Sequence, residues 1–205
     1  MRKLYGVAFF LLCICLTGCK ATGKNNMRNL EERDYATVLM IQKLGDEKYK
    51  MNLGVARVRL QGETAEGERF SSFECCSLEE LREKYETVKG KYLSLAHLKV
   101  IIVTNVCPME NCRDYMDELR RDNEIAKTVP VLESDDVDAL LKYAEDLKQP
   151  MGTYMSDLVR VKEREGRKIP WLMDYLKHIQ EGREIFVYRI QIKKEGLKLT
   201  AYNNG

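Results

Sequence analysis

Tyr92-Leu-Ser-Leu-Ala-His-Leu-Lys-Val-Ile-Ile-Val-Thr-Asn-Val106 decides the fold, because its run from Val100 to Val103 is apolar at successive positions and built from β-branched residues. Such a run suits a strand with both faces covered, at the centre of a sheet. Downstream, Met109, Cys112, Met116 and Leu119 recur at helical spacing, predicting a helix from Met109 to Arg121. An extended Thr128-Val-Pro-Val-Leu132 follows. Ser134 or Asp135 then caps a further helix whose inward stripe is Val137, Leu140, Leu141, Ala144 and Leu147. Upstream, Ser77 and Glu80 have capping-box spacing and open a helix over Leu78, Leu81, Tyr85 and Val88, which Gly90 closes.

Earlier still, TVLMIQKL (37–44) and YKMNLGVARVRL (49–60) flank Gly45-Asp-Glu-Lys48 and read as a β-hairpin, with Tyr49, Met51, Leu53 and Val55 alternating. Residues 61–77 are polar with two glycines and read as a loop or irregular extension. Past Pro150, which punctuates the chain, two helices are expected. One runs from Thr153 to Glu165 with Tyr154, Leu158 and Val161 in register; the other runs from Pro170 to Gln180 with Trp171, Leu172, Tyr175, Leu176 and Ile179 inward. The chain closes on a hairpin. Phe186, Tyr188, Ile190 and Ile192 alternate on one strand, Lys194-Glu-Gly196 makes a three-residue turn, and Leu197, Leu199 and Ala201 alternate on the return. Strands interleaved with helices and bounded by hairpins imply an α/β or α+β fold with a mixed sheet, as one compact body or two small subdomains. In the second case residues 35–149 form a first α/β domain, and residues 150–205 form part or all of a second.

The N-terminus carries an address. Arg2 and Lys3 precede the apolar stretch Leu4 to Leu16, which is too short to span a bilayer and ends in the polar run from Lys20. Between them, Leu16-Thr-Gly-Cys19 has small residues before a cysteine, the arrangement of a bacterial lipobox. Residues 1–18 are therefore expected to be a lipoprotein signal peptide, Cys19 the lipidated residue, and residues 19–34 a polar tether. Two acyl chains anchor stably where one would bind only marginally.

Removing residues 1–18 takes Arg2, Lys3 and no acid, so the formal charge falls from +2 to zero. With no basic stripe, nucleic acid has no electrostatic claim on the body. Of seven cysteines, Cys75, Cys76, Cys107 and Cys112 remain beside Cys19. They allow three pairings, Cys107 with Cys112 being the tempting one, and free or structural thiols are the preferred reading. Zinc would need two more ligands, and the two histidines, His97 and His178, stand at no ligand-like spacing. No Gly-x-Ser-x-Gly elbow, phosphate-cradling glycine loop or His-Glu-x-x-His is present. No catalytic residue, cofactor or metal is expected. His97 reads as structural and His178 as a helix-edge residue. The acids from Glu133 to Asp138 suit a helix N-terminus, and the basic run Arg160 to Lys168, interleaved with acids, reads as solvated helix surface in preference to an anionic-lipid patch.

The lipobox, the tether, the hairpin ATVLMIQKLGDEKYKMNLGVA and the segment from Leu93 to Leu141 together resemble the C-subunit lipoproteins of spore germinant receptors. The most specific parts are Ala96-His-Leu-Lys99 before an apolar strand and Leu119-Arg-Arg-Asp-Asn-Glu-Ile125 after the next helix. Lys20-Ala21 and Ile41-Gln-Lys43 depart from the Trp-Asp and Gly-Ile-Asp common in that family. Typical members are longer and carry a further C-terminal α/β domain, so the resemblance covers the first domain and part or all of the second. It implies a non-enzymatic subunit held by diacylglyceryl on Cys19 at the extracytoplasmic face of the membrane, in a spore the inner membrane, and assembled with integral-membrane receptor subunits. The alternative is a solute-binding or envelope-maintenance lipoprotein. An open apolar cleft of roughly 300 Å³ or more with convergent polar groups favours binding, and an exposed apolar patch favours assembly.

Overall fold

The run Val100–Thr104 is a strand buried at every residue, as its composition requires. The computed structural model describes residues 32–45, 48–56, 68–104, 113–183 and 185–204. In chain order these form β1 (Arg33–Lys43), β2 (Tyr49–Ala56), β3 (Glu68–Cys75), α1 (Leu78–Lys89), β4 (Tyr92–Ser94), β5 (Val100–Thr104) and α2 (Arg113–Arg121). There follow β6 (Val131–Ser134), α3 (Val137–Glu145), α4 (Met151–Arg164), α5 (Leu172–Glu181), β7 (Ile185–Lys193) and β8 (Gly196–Asn204). The strands make one mixed sheet ordered β3-β2-β1-β5-β6-β7-β8, with β4 paired to the start of β1. β1, β5, β6 and β7 run parallel, and antiparallel strands flank them on both sides.

This is the α/β mixed sheet expected from the sequence. Alternation along each central strand sorts its side chains between two layers. Leu39, Ile41, Ile101, Val103, Val131 and Val187 share a core with residues of α1, α2 and α5. Val38, Met40, Val100, Ile102, Leu132 and Tyr188 share the other with residues of α3 and α4. Because β6 pairs with β7, strands on either side of Pro150 lie in the same sheet. At α1, Ser77 Oγ accepts from the Glu80 amide at 3.1 Å, the Glu80 carboxylate accepts from the Cys76 amide at 2.6 Å, and Gly90 closes the helix at φ 67°.

Several local expectations are corrected. Residues 68–75, expected in a loop, form β3, paired in register from Tyr49↔Cys75 to Ala56↔Glu68. Only Cys75 of this edge strand is fully buried, and Phe70 and Phe73 pack partly buried against the two cores among otherwise polar residues, so its hydrophobic signal is weak. The cap of α3 is Asp136, which accepts from the Ala139 amide at 2.8 Å; Ser134 belongs to β6 and Asp135 lies between. On α4 the fully buried residues are Met151, Gly152, Met155 and Val159; Tyr154 and Leu158 pack partly buried against the same core as expected, whereas Val161 is 46% exposed. On α5, Leu172, Tyr175 and Leu176 point inward but Trp171, just before the helix, is exposed. The side chain of Ile179, and residues Met109 and Cys112, lie outside what is described. Phe186 and Ile192 are exposed because the covering helices shield only the middle of β7, where Val187, Tyr188 and Ile190 are buried. The closing turn is shorter than expected: Lys193 pairs with Gly196, leaving Lys194-Glu195 as its loop, and Gly196 holds φ 132°.

Candidate functional site

The Ala96-His-Leu-Lys99 segment turns into β5 at the amino end of the parallel strands, and three groups of polar side chains surround it or lie along the same sheet. In the first group, Gly152 lets α4 approach β1 so closely that an added Cβ would lie 2.9 Å from Thr37 Cβ. The Glu68 carboxylate reaches across from β3, bonding the Thr37 hydroxyl and accepting from the Gly152 amide at 3.2 Å. Burial pushes the Glu68 carboxyl above its usual value, and these hydrogen bonds and Lys99 oppose the shift. Lys99 Nζ donates to Thr153 Oγ1 at 2.9 Å, and the Lys99 amide donates to Thr37 O at 2.8 Å. Beside them opens a cleft of about 330 Å³ lined by Leu98, Lys99, Pro130, Thr153, Asp157 and Arg160, among others. Arg160 and Asp157 face each other at 3.7 Å.

The second group explains the other resembling segment. Asp122 and Glu124 both turn towards Arg82 of α1, at 2.6 and 3.6 Å. The Glu124 carboxylate also accepts from the Leu95 amide at 2.8 Å, while Ile125 enters the core. Together they fasten the turn that leads into His97-Leu98-Lys99. The third group was missed from the sequence. Glu133 is no helix-start acid but a buried strand residue, 3% exposed. Arg189 of the neighbouring strand reaches Glu133 at 3.7 Å and Asp135 at 3.3 Å, and lies 3.9 Å over the Tyr202 ring. Burial raises the Glu133 carboxyl, and Arg189 opposes it. Its signal was an acid and a base at positions that pair only once β6 and β7 are known to be neighbours.

His97 is exposed, its ring edge-on to Tyr35 with centroids 4.7 Å apart, so any structural role it has is local packing and not core. His178 is half-buried on α5. Cys75 is buried and free, its thiol pushed up to about 12 chiefly by burial, and Cys76 is exposed and free. Cys19, Cys107 and Cys112 lie outside the described residues, as do the signal peptide and most of the tether. Among the described residues no three His, Cys, Asp or Glu side chains converge on a metal position. Nor is any described helix long and apolar enough to cross a membrane. Three half-buried ionisable groups hold elements together: Glu68 joins β3 to α4, Arg82 joins α1 to the chain after α2, and Arg189 joins β7 to β6.

Comparison with curated proteins and with solved structures returns no match. Residues 26–192, from before β1 to within β7, match the spore germination protein N-terminal domain, and the chain belongs to that family.

Proposed function

We propose that the chain is the lipid-anchored, non-enzymatic subunit of a spore germinant receptor, held through Cys19 at the extracytoplasmic face of the membrane and assembled with integral-membrane subunits. The observation that carries this reading is the family match over residues 26–192. Leu16-Thr-Gly-Cys19 supports the anchor, because a thiol at that position becomes a thioether where a hydroxyl would not. The exposed Trp171, Met173 and Phe186 are in keeping with a surface that meets other components.

The cleft beside Lys99 favours a second reading, a solute-binding lipoprotein, since its volume is in the range of small-molecule sites. One experiment separates the two. A deletion strain should germinate poorly with a particular nutrient while growing and sporulating normally, and the protein should co-purify with polytopic membrane proteins. Cys19→Ser should lose labelling by fatty acid and accumulate as precursor. Normal germination with every nutrient, combined with failure to import a small solute, would overturn the receptor reading in favour of the second.

A further inference from the structure

Three features gather at the amino end of the parallel strands. The chain enters the sheet there, since Val38 pairs with Val100 and Arg33 therefore lies beyond the first residue of β5. The cleft opens at the same end, because Leu98 and Lys99 precede β5 and Pro130 precedes β6. Trp171 is bridged to Pro130 and is 42% exposed, with Met173 close by at 46%. At the end of α4 and before Trp171 the residues Arg164, Arg167 and Lys168 are exposed, and residues 157–174 hold five cations against four acids.

The geometry points to this end as a membrane-facing surface: it rests on anionic phospholipid headgroups, with Trp171 in the interface and a headgroup phosphate in the cleft between Lys99 and Arg160. The inference rests on the lipid-anchor reading, since Cys19 precedes β1 and tethers the body from this end. Thirteen residues lie between Cys19 and Arg33. Fully extended they reach about 50 Å, so the tether by itself does not orient the body and the surface must. Tryptophan suits the task because an apolar ring carrying one N–H donor is stable at the boundary of hydrocarbon and water. Acids oppose it in part. Asp157 stands in the cleft 3.7 Å from Arg160, Lys168 meets Asp174 at 3.5 Å, and Lys162 meets Glu165 at 2.7 Å. The Asp157–Arg160 pair is exposed on both sides and holds its partners weakly, and the cleft keeps two cations to one acid.

Trp171 is the chain's single tryptophan, so its fluorescence reports this surface alone. The mature protein is reconstituted into vesicles of phosphatidylcholine, or of phosphatidylcholine mixed equally with phosphatidylglycerol, each with and without brominated acyl chains. Flotation reports anchoring; quenching of Trp171 by bromine reports orientation. The expected result is flotation with both lipids but strong quenching only with phosphatidylglycerol, reversed by salt. Lys99→Ala and Arg160→Ala should each lower the ratio of interfacial to exposed Trp171 by about five-fold. Flotation without quenching overturns the inference and leaves the anchor standing. Quenching in a protein that carries no lipid upholds the inference and removes the anchor reading. Neither signal removes both. Equal quenching in neutral vesicles, or an effect of Lys99→Ala on inorganic phosphate binding without any on quenching, also overturns it.

Discussion

Replacing Gly152 by alanine sets two effects of opposite sign against each other. In a helix interior alanine is favoured over glycine by about 1 kcal/mol, so helix propensity alone predicts a more stable protein. Packing predicts the reverse. The added Cβ would lie 2.9 Å from Thr37 Cβ, 2.9 Å from its Oγ1 and 3.1 Å from its backbone oxygen. The backbone oxygen cannot yield easily, because β1 lies between β2 and β5 and that oxygen accepts the Lys99 amide at 2.8 Å. Relief must come from α4 lifting off the sheet, which lengthens the 3.2 Å bond from the Gly152 amide to Glu68 and loosens Met151 and Met155. Overpacking of this kind costs about 1–3 kcal/mol. After the propensity gain, the net loss should be about 0–2 kcal/mol, a fall in melting temperature of up to about 8 °C for a protein of this size. Thermal melts followed by circular dichroism check it, with Gly45→Ala as the control, since nothing lies within 4 Å of a Cβ there. A melting temperature raised by the full propensity gain, about 2–4 °C, would refute the close approach of α4 to β1.

Ile101 and Ile102 are both fully buried but belong to opposite cores, so alanine at either should cost about 2–5 kcal/mol in denaturant titrations; a nearly neutral result at one would mean that one face is uncovered. Glu68 supplies a pH dependence. Its folded pKa is raised above 4.5, so the folded state binds the proton more tightly than the unfolded one, and the resulting stability is present below about 4.5 and lost as pH rises through the raised value. Glu68→Gln should flatten the melting temperature across that window, and an unaltered slope would assign the dependence elsewhere.

What was legible in the sequence follows from periodicity and end chemistry. Val100 to Val103 announced a buried strand, Ser77 with Glu80 announced α1, and the hairpin of β1 and β2 followed from Tyr49, Met51, Leu53 and Val55. The Ala96-His-Leu-Lys99 and Asp122-Asn-Glu124 segments signalled a family before their contact across Leu95 and Glu124 was known. Position along the lengths of elements was harder to read. Tyr154 and Leu158 do pack against the core, but the fully buried stripe is Met151, Met155 and Val159, centred where β1 lies beneath Gly152, and Val161 falls outside it.

By itself, then, the sequence determined the alternation of strands and helices, the mixed α/β class and the family, because these rest on local spacing and on patterns that need no partner. Tertiary structure alone decided three things. It made ERFSSFEC a strand, since an edge strand with one fully buried residue and two partly buried phenylalanines is held chiefly by the backbone of β2. It paired Glu133 with Arg189, residues far apart in the chain that meet only because β6 and β7 are adjacent. And it brought Lys99, Arg160 and Trp171 to one end of the sheet. Each depends on which elements become neighbours, and that is settled by burying both faces of the whole sheet at once, which no local stretch of sequence encodes.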